Sequence, residues 1–313
     1  MKPDMGVNIG PLVLRNPVGV ASGTFGYGSE YEELMDVDAL GAIYTKAVTP
    51  ELRPGNDIPR IVETPAGMLN SIGLANPGLM SFISHKLPEL RARACAVIVN
   101  VAGSSEADYL RVVEGLEEAA GPWTGASGSG VNGYEINVSC PNVSHGGLAF
   151  GTDPAQVERL TATLRRATRR ALIVKLTPNV ADIAPVAKAA EAGGADAISC
   201  INTLVGMVID VRRRRPALAR GTGGLSGPAI RPVGVACTYK AARAVSIPVI
   251  GLGGIMCAED ALQYLLAGAR AVQVGTGSFV DPRIALQVLA GIEAWMEAEG
   301  VAALGDIAGL LEA

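Results

Sequence analysis

The run Asn137-Val-Ser-Cys-Pro-Asn142 sets a thiol between two amide side chains. A thiol has a reference pKa of about 8.5, and neighbouring cations lower it. Cys140 could then take a weakly acidic proton from carbon while a hydride leaves the adjacent carbon. The competing reading of a free cysteine is a small buried hydrophobe. That reading suits Cys95, Cys200 and Cys237. Cys257 competes for the chemical role because it precedes a helix start, but it lacks the asparagine neighbours of Cys140.

Lys46, Asn100, Asn137 and Lys175 form a second set. Two ammonium groups and two amides can hydrogen-bond the polar edge of a planar, electron-accepting ring, and a cation there stabilises a reduced, anionic flavin. A buried structural ion pair, or a Schiff-base lysine as in barrel aldolases, are the other readings. A third set is glycine-rich: Gly251-Leu-Gly-Gly254 and Gly275-Thr-Gly-Ser278. Glycines let backbone N–H groups approach an anion, so these two ends suit a phosphate. Their other reading is tight turns with no ligand. His85 and His145 are too far apart to suggest a metal pair, and no metal site is expected.

These residues share a position within their elements. Eight short apolar runs occur at 18–21, 42–45, 97–101, 134–138, 172–176, 197–201, 248–252 and 271–274. Amphipathic helices are expected over 154–170 with Asp153 as N-cap, over 183–192 ending at Gly193-Gly194, and over 259–267 ending at Gly268. Continuous apolar strands alternating with helices predict an α/β fold, a (β/α)8 TIM barrel. In a barrel, every strand's C-terminal end faces one mouth. Ser22, Lys46, Asn100, Asn137, Lys175, Asn202, Thr203, Gly253 and Gly275 all stand at or near such ends. Residues 7–16 read as an N-terminal β-hairpin closing the barrel bottom. Segments 48–80 and 203–230 read as long βα loops over the C-terminal mouth, where such folds build their sites. Arg212–Arg215 reads as a solvated stretch, or as a contact for an acidic partner. No composition break appears, so residues 1–313 are taken as a single domain.

Composition agrees. Of the 313 residues, 49% are hydrophobic and 18% charged, enough for a large core. The net charge of −4 disfavours nucleic acid. No apolar stretch reaches the roughly 18 residues of a membrane span, and the first 20 residues do not read as a signal peptide. A cytoplasmic protein is expected. Five cysteines without a CxxC pair offer neither a disulfide framework nor an iron–sulfur motif.

Four motifs together resemble the class 1 dihydroorotate dehydrogenases. They are Tyr134-Glu-Ile-Asn-Val-Ser-Cys-Pro-Asn142, Lys175-Leu-Thr-Pro-Asn179, Asn70-Ser-Ile-Gly-Leu74 and Gly223-Gly-Leu-Ser-Gly-Pro228. The resemblance runs from the first strand through Phe279, and segments 45–60 and 143–153 are most similar to the B-type, NAD-linked catalytic subunit. It implies one FMN per chain and oxidation of dihydroorotate to orotate in pyrimidine biosynthesis. It further implies a homodimer, assembled into a heterotetramer with an electron-transfer subunit that carries FAD and a 2Fe–2S cluster. Carried over residue by residue, Ser22, Lys46, Ala47, Asn100, Asn137 and Lys175 match FMN contacts, as do Ile201, Gly227, Gly253, Gly254, Gly275 and Thr276. Lys46, Asn70, Ser71, Ile72, Gly73, Leu74, Asn137, Asn202 and Thr203 match substrate contacts. Cys140 matches the base, with Lys46 as the second catalytic group. The loop around Cys140 would act as a lid with Gly146-Gly147 as its flexible point. Ala75 departs from the pattern, where a longer polar residue is expected. The alternatives are an A-type enzyme using fumarate, a dihydropyrimidine dehydrogenase-like subunit, and a flavin-free barrel aldolase or phosphosugar-binding protein.

Overall fold

A computed structural model describes residues 2–125, 129–139 and 150–312. Among them, eight strands close into a parallel barrel in sequence order: Val18–Val20, Ala42–Tyr44, Ala96–Val101, Gly133–Asn137, Ala171–Leu176, Ala197–Cys200, Val249–Leu252 and Ala271–Val274. Each lies within one residue of its expected run at either end. The cause is burial on both faces: every residue of Ala171–Leu176 is buried, and all but Lys175 are apolar.

Helices cover the barrel outside. Pro154–Ala167 begins where expected, with the Asp153 carboxylate accepting from Ala155 N at 3.0 Å. It stops three residues short of the expected Arg170. Thr168 is extended there, and its hydroxyl donates to Glu117 Oε1 at 2.6 Å, while Arg170 turns inward and is fully buried. Ala184–Ala192 and Ala258–Leu266 match their expected spans and end at the glycines named above.

The N-terminal hairpin pairs Val7–Ile9 with Leu12–Leu14. It buries Val7, Ile9, Leu12 and Leu14 and exposes Asn8 and Val13, the alternation a half-covered ribbon requires. Its turn residue Gly10 has φ +53° and sits so close to Asp196, just before the sixth barrel strand, that a Cβ there would lie 2.4 Å from that side chain. The hairpin therefore covers the N-terminal, bottom end.

The two long segments over the mouth are more ordered than their loop-like composition suggests. They contribute a four-stranded antiparallel sheet in the order Leu204–Met207, Thr222–Ser226, Gly67–Asn70, Ile61–Thr64. Gly223 and Gly224 fit this sheet because the Asn70 backbone leaves no space for a side chain at the first and the Thr203 side chain none at the second. A Cβ on Gly224 would lie 2.0 Å from Thr203 Oγ1. The canopy thus ties the second βα connection to the sixth. Arg212–Arg215 stands exposed beyond it. Among the described residues, no helix is long and apolar enough to cross a membrane.

Candidate active site

The barrel's two upper interior layers are polar. In a parallel barrel, one interior layer takes its side chains from alternate strands. The second, fourth, sixth and eighth strands present Tyr44, Glu135, Ser199 and Gln273, all buried. Glu135 has no exposed surface and is a hydrogen-bond hub. Its Oε1 accepts from Ser199 Oγ and Gln273 Nε2, both at 2.8 Å. Its Oε2 accepts from Asn100 Nδ2 at 2.6 Å and lies 3.5 Å from Lys175 Nζ. Burial raises the Tyr44 phenol pKa, and the Glu135 charge raises it further.

Asn100 and Lys175 come from the third and fifth strands, one step nearer the mouth. Lys175 lies opposite Asn137 in the strand register, and opposite Ser199 on its other side. Asn100 Oδ1 is buried and finds no donor among the described residues. One step further up stand Lys46, Asn137, Ile201 and Gly275, each two residues beyond a member of the Glu135 layer. Asn137 Oδ1 accepts from Asn202 Nδ2 at 3.1 Å. Lys46 Nζ lies 3.8 Å from where a Cβ on Gly23 would sit. Burial lowers the Lys46 pKa below the ordinary lysine value, and the nearby Arg60 charge lowers it further. Ala47 and Ile201 are buried beside this rim, whereas Ser22 is half-buried.

The glycine-rich ends converge on one corner. Thr276 Oγ1 donates to Ser226 Oγ at 2.8 Å. Gly227 (φ +93°) and Gly254 (φ +69°) meet there, and a Cβ on Gly254 would come within 2.7 Å of Gly227 O. The helix Ala258–Leu266 holds this corner from beneath. Tyr264 donates to Gly253 O at 2.6 Å, Asp260 Oδ2 accepts from Met256 N at 2.9 Å, and Arg231 pairs with Asp260.

Residues Asn70 to Leu74 leave the canopy edge and cross toward the mouth. Asn56 Nδ2 donates to Ser71 O at 2.9 Å, and Asn76 Nδ2 donates to Leu74 O at 2.7 Å. Gly73 and Leu74 both have positive φ, 76° and 57°. The leucine is a costly occupant of that region, a strain that clusters at functional segments. The Ala75 Cβ faces the Gly55 turn at 2.9 Å from where a Cβ on that glycine would sit. Asn179 of the Lys175 motif accepts from Val205 N at 2.9 Å and donates to Thr203 O at 3.1 Å, which positions Thr203 over the sixth strand.

Cys140, with Pro141, Asn142, His145 and Gly146-Gly147, lies outside the described residues, as does the segment for which a lid was expected. The chain leaves at Ser139 and returns beside Val138, where Gly151 N donates to Val138 O at 2.9 Å. The described cysteines all have thiol pKa values raised above the ordinary value. Burial pushes Cys95 up to about 12 and raises Cys200 and Cys237. Exposed Cys257 is also raised, by partial burial first and then by its hydrogen bond with Glu259. No group of three or more His, Cys, Asp or Glu able to hold a metal occurs among the described residues.

Sequence reasoning passed over Glu135, Ser199, Gln273 and Tyr44. A signal existed: strand side chains alternate with period two, so each stands on the same inward face as a mouth residue two positions on.

The family model described as dihydroorotate dehydrogenase matches residues 5–296. Three similar proteins carry the name dihydroorotate dehydrogenase B (NAD(+)), catalytic subunit. Those of Pelobacter propionicus and Trichlorobacter lovleyi are each 51% identical over 312 residues, spanning 100% of both chains. That of Alkaliphilus metalliredigens is 50% identical over 310 residues, 99% of both chains.

Proposed function

The chain belongs to the dihydroorotate dehydrogenase family, and from that premise we propose that it is the catalytic subunit of a B-type, NAD-linked enzyme. It oxidises (S)-dihydroorotate to orotate for pyrimidine biosynthesis in the cytoplasm, as a single domain. The observation that carries this reading is the cation and amide set Lys46, Asn100, Asn137 and Lys175 gathered at one barrel mouth beside the glycine corner.

The residues fit FMN. Asn100 Oδ1 is a buried acceptor awaiting a donor. Gly227 and Gly254 form a corner where an added Cβ would come within 2.7 Å of backbone, and with Gly253, Gly275 and Thr276 beside them the bare backbone suits a phosphate. When bound, FMN supplies an acceptor for the hydride that leaves C6 of the substrate. Asn100 and Lys175 would hold the polar edge of the ring, Ser22 and Ala47 would line it, and Ile201 would supply an apolar contact. Asn70 to Leu74, Asn137, Asn202 and Thr203 bind the substrate's amide and carboxylate groups. Lys46 places positive charge where both ring and substrate are anionic. Cys140 Sγ takes the C5 proton as the C6 hydride departs, so proton and electron pair leave adjacent carbons and a C5=C6 double bond forms.

Electrons then reach NAD through a separate subunit carrying FAD and a 2Fe–2S cluster, in a heterotetramer built on a homodimer of this chain. The similar proteins' shared name, a catalytic subunit, supports such a partner. The test is a visible spectrum of the purified chain followed by anaerobic dihydroorotate. A flavin spectrum that bleaches, with turnover to NAD restored by the partner subunit, is the expected result. Rapid fumarate reduction by the isolated chain would point to the A type. Bleaching by NAD(P)H and uracil would point to a dihydropyrimidine dehydrogenase-like subunit, and a colourless protein after reconstitution to a flavin-free barrel. Cys140→Ser should slow flavin reduction by about 10²–10⁴-fold while FMN content is kept.

A further inference from the structure

The Glu135 layer has no need of polarity for folding. Barrel interior layers are filled mostly by branched apolar side chains, which pack without the desolvation a buried charge entails. Yet Glu135 has no exposed surface and is surrounded by four donors: Ser199 Oγ and Gln273 Nε2 at 2.8 Å, Asn100 Nδ2 at 2.6 Å and Lys175 Nζ at 3.5 Å. A side chain met by donors at both oxygens must act as an acceptor at both, which is what an ionised carboxylate does and an amide cannot.

We propose that Glu135 is a positioning residue for Asn100 and Lys175 and that its charge sets the electron affinity of the flavin held above them. Two contacts carry this. Binding Asn100 Nδ2 to the carboxylate fixes which way the amide faces, so its unpartnered Oδ1 is the atom left for a ligand N–H. Placing a negative charge 3.5 Å from Lys175 Nζ offsets part of the ammonium's field. An anion behind the lysine makes added electron density on the ring less favourable than the lysine alone would. Ser199 and Gln273 hold the other oxygen and keep the carboxylate from turning away.

The inference rests on the FMN reading above, and its test separates the two. Wild-type and Glu135→Gln protein are stripped and reconstituted with FMN. FMN affinity is read by fluorescence quenching and the two-electron midpoint potential by dye equilibration. Loss of the charge should favour reduced over oxidised FMN at least tenfold, about 30 mV toward positive potential. FMN affinity should fall several-fold, because the new amide can take the Asn100 acceptor. Ser199→Ala, which removes one donor and keeps the charge, should leave the potential within twofold of wild type. An unchanged potential in Glu135→Gln, or an equal shift in Ser199→Ala, overturns the proposal. If Glu135→Gln does not fold, Glu135→Asp draws the charge back from Lys175 and should give a smaller shift of the same sign, and none would overturn it. Wild-type protein that binds no FMN overturns the cofactor reading itself, and this inference with it.

Discussion

Two ion pairs in this barrel, one half-buried at its carboxylate and one wholly buried, are built from similar parts to opposite ends. Arg170 and Glu117 meet at 2.8 Å between the fourth and fifth strands and the helix Glu106–Ala120. Every nitrogen of the guanidinium has an acceptor: Nε donates to Val131 O at 2.9 Å, Nη1 to Glu117, and Nη2 to Gly121 O at 2.8 Å. Glu117 is equally engaged, accepting from Tyr134 at 2.7 Å and Thr168 at 2.6 Å. Around Glu135, by contrast, the lysine is held at 3.5 Å and Asn100 keeps an acceptor without a donor. Saturation marks the first cluster as architecture. Incomplete pairing leaves the second with a buried acceptor free for a ligand, as the proposed FMN site requires.

That contrast can be broken by substitution. Arg170→Met should cost the most stability, about 3–5 kcal/mol, because it strands Glu117 beside buried Tyr134 and frees two carbonyls. Urea unfolding would measure it, and FMN bound per folded molecule should stay at wild-type level. Lys175→Met should show the opposite profile. Flavin reduction by dihydroorotate should fall about 10²–10³-fold in stopped-flow traces, with a smaller loss of unfolding free energy than Arg170→Met. If Lys175→Met destabilises the fold as much as Arg170→Met, the division into architecture and site fails.

Two smaller effects sharpen the same boundary. Asp153→Ala removes the N-cap of Pro154–Ala167 and should cost about 1 kcal/mol in unfolding, without change in the flavin spectrum. Lys46 offers a pH test. Its folded pKa lies below the ordinary 10.5, chiefly because burial disfavours the ammonium. In the window between that lowered value and 10.5, the unfolded chain binds more protons than the folded one. The lysine's contribution to stability is therefore fully present above 10.5 and is lost as pH falls through the folded value. Anion binding runs the other way: orotate affinity should weaken as pH rises through the lowered pKa and Lys46 discharges. Lys46→Arg should abolish that weakening, since the guanidinium stays charged. An orotate titration that is flat in wild type over this range would remove Lys46 from the anion contacts.

The parts legible in sequence were those with local causes. Each barrel strand is a continuous apolar run because both of its faces are covered, and Asp153 announces its helix because a cap bonds within two residues. The mouth positions followed from the barrel, whose strand ends must all face one way. The canopy was not legible. Gly223-Gly-Leu-Ser reads as loop, and becomes strand through pairing with residues about 150 positions earlier, where the absence of side chains permits close approach.

The same division holds at the site. By itself, the sequence determined the barrel, the cations and amides at its mouth and the glycine corner, because period and residue type are local properties. It sets Cys140 three positions after Asn137 in the chain. Tertiary structure decided what stands beneath them. Glu135 is one carboxylate in an apolar strand, and its partners arrive from 35, 64 and 138 residues away. Pairing with the neighbouring strands brings up Asn100 and Lys175, and closing the sheet brings Ser199 and Gln273 from alternate strands into the same layer, so the buried charge gains its full set of donors only in the folded barrel.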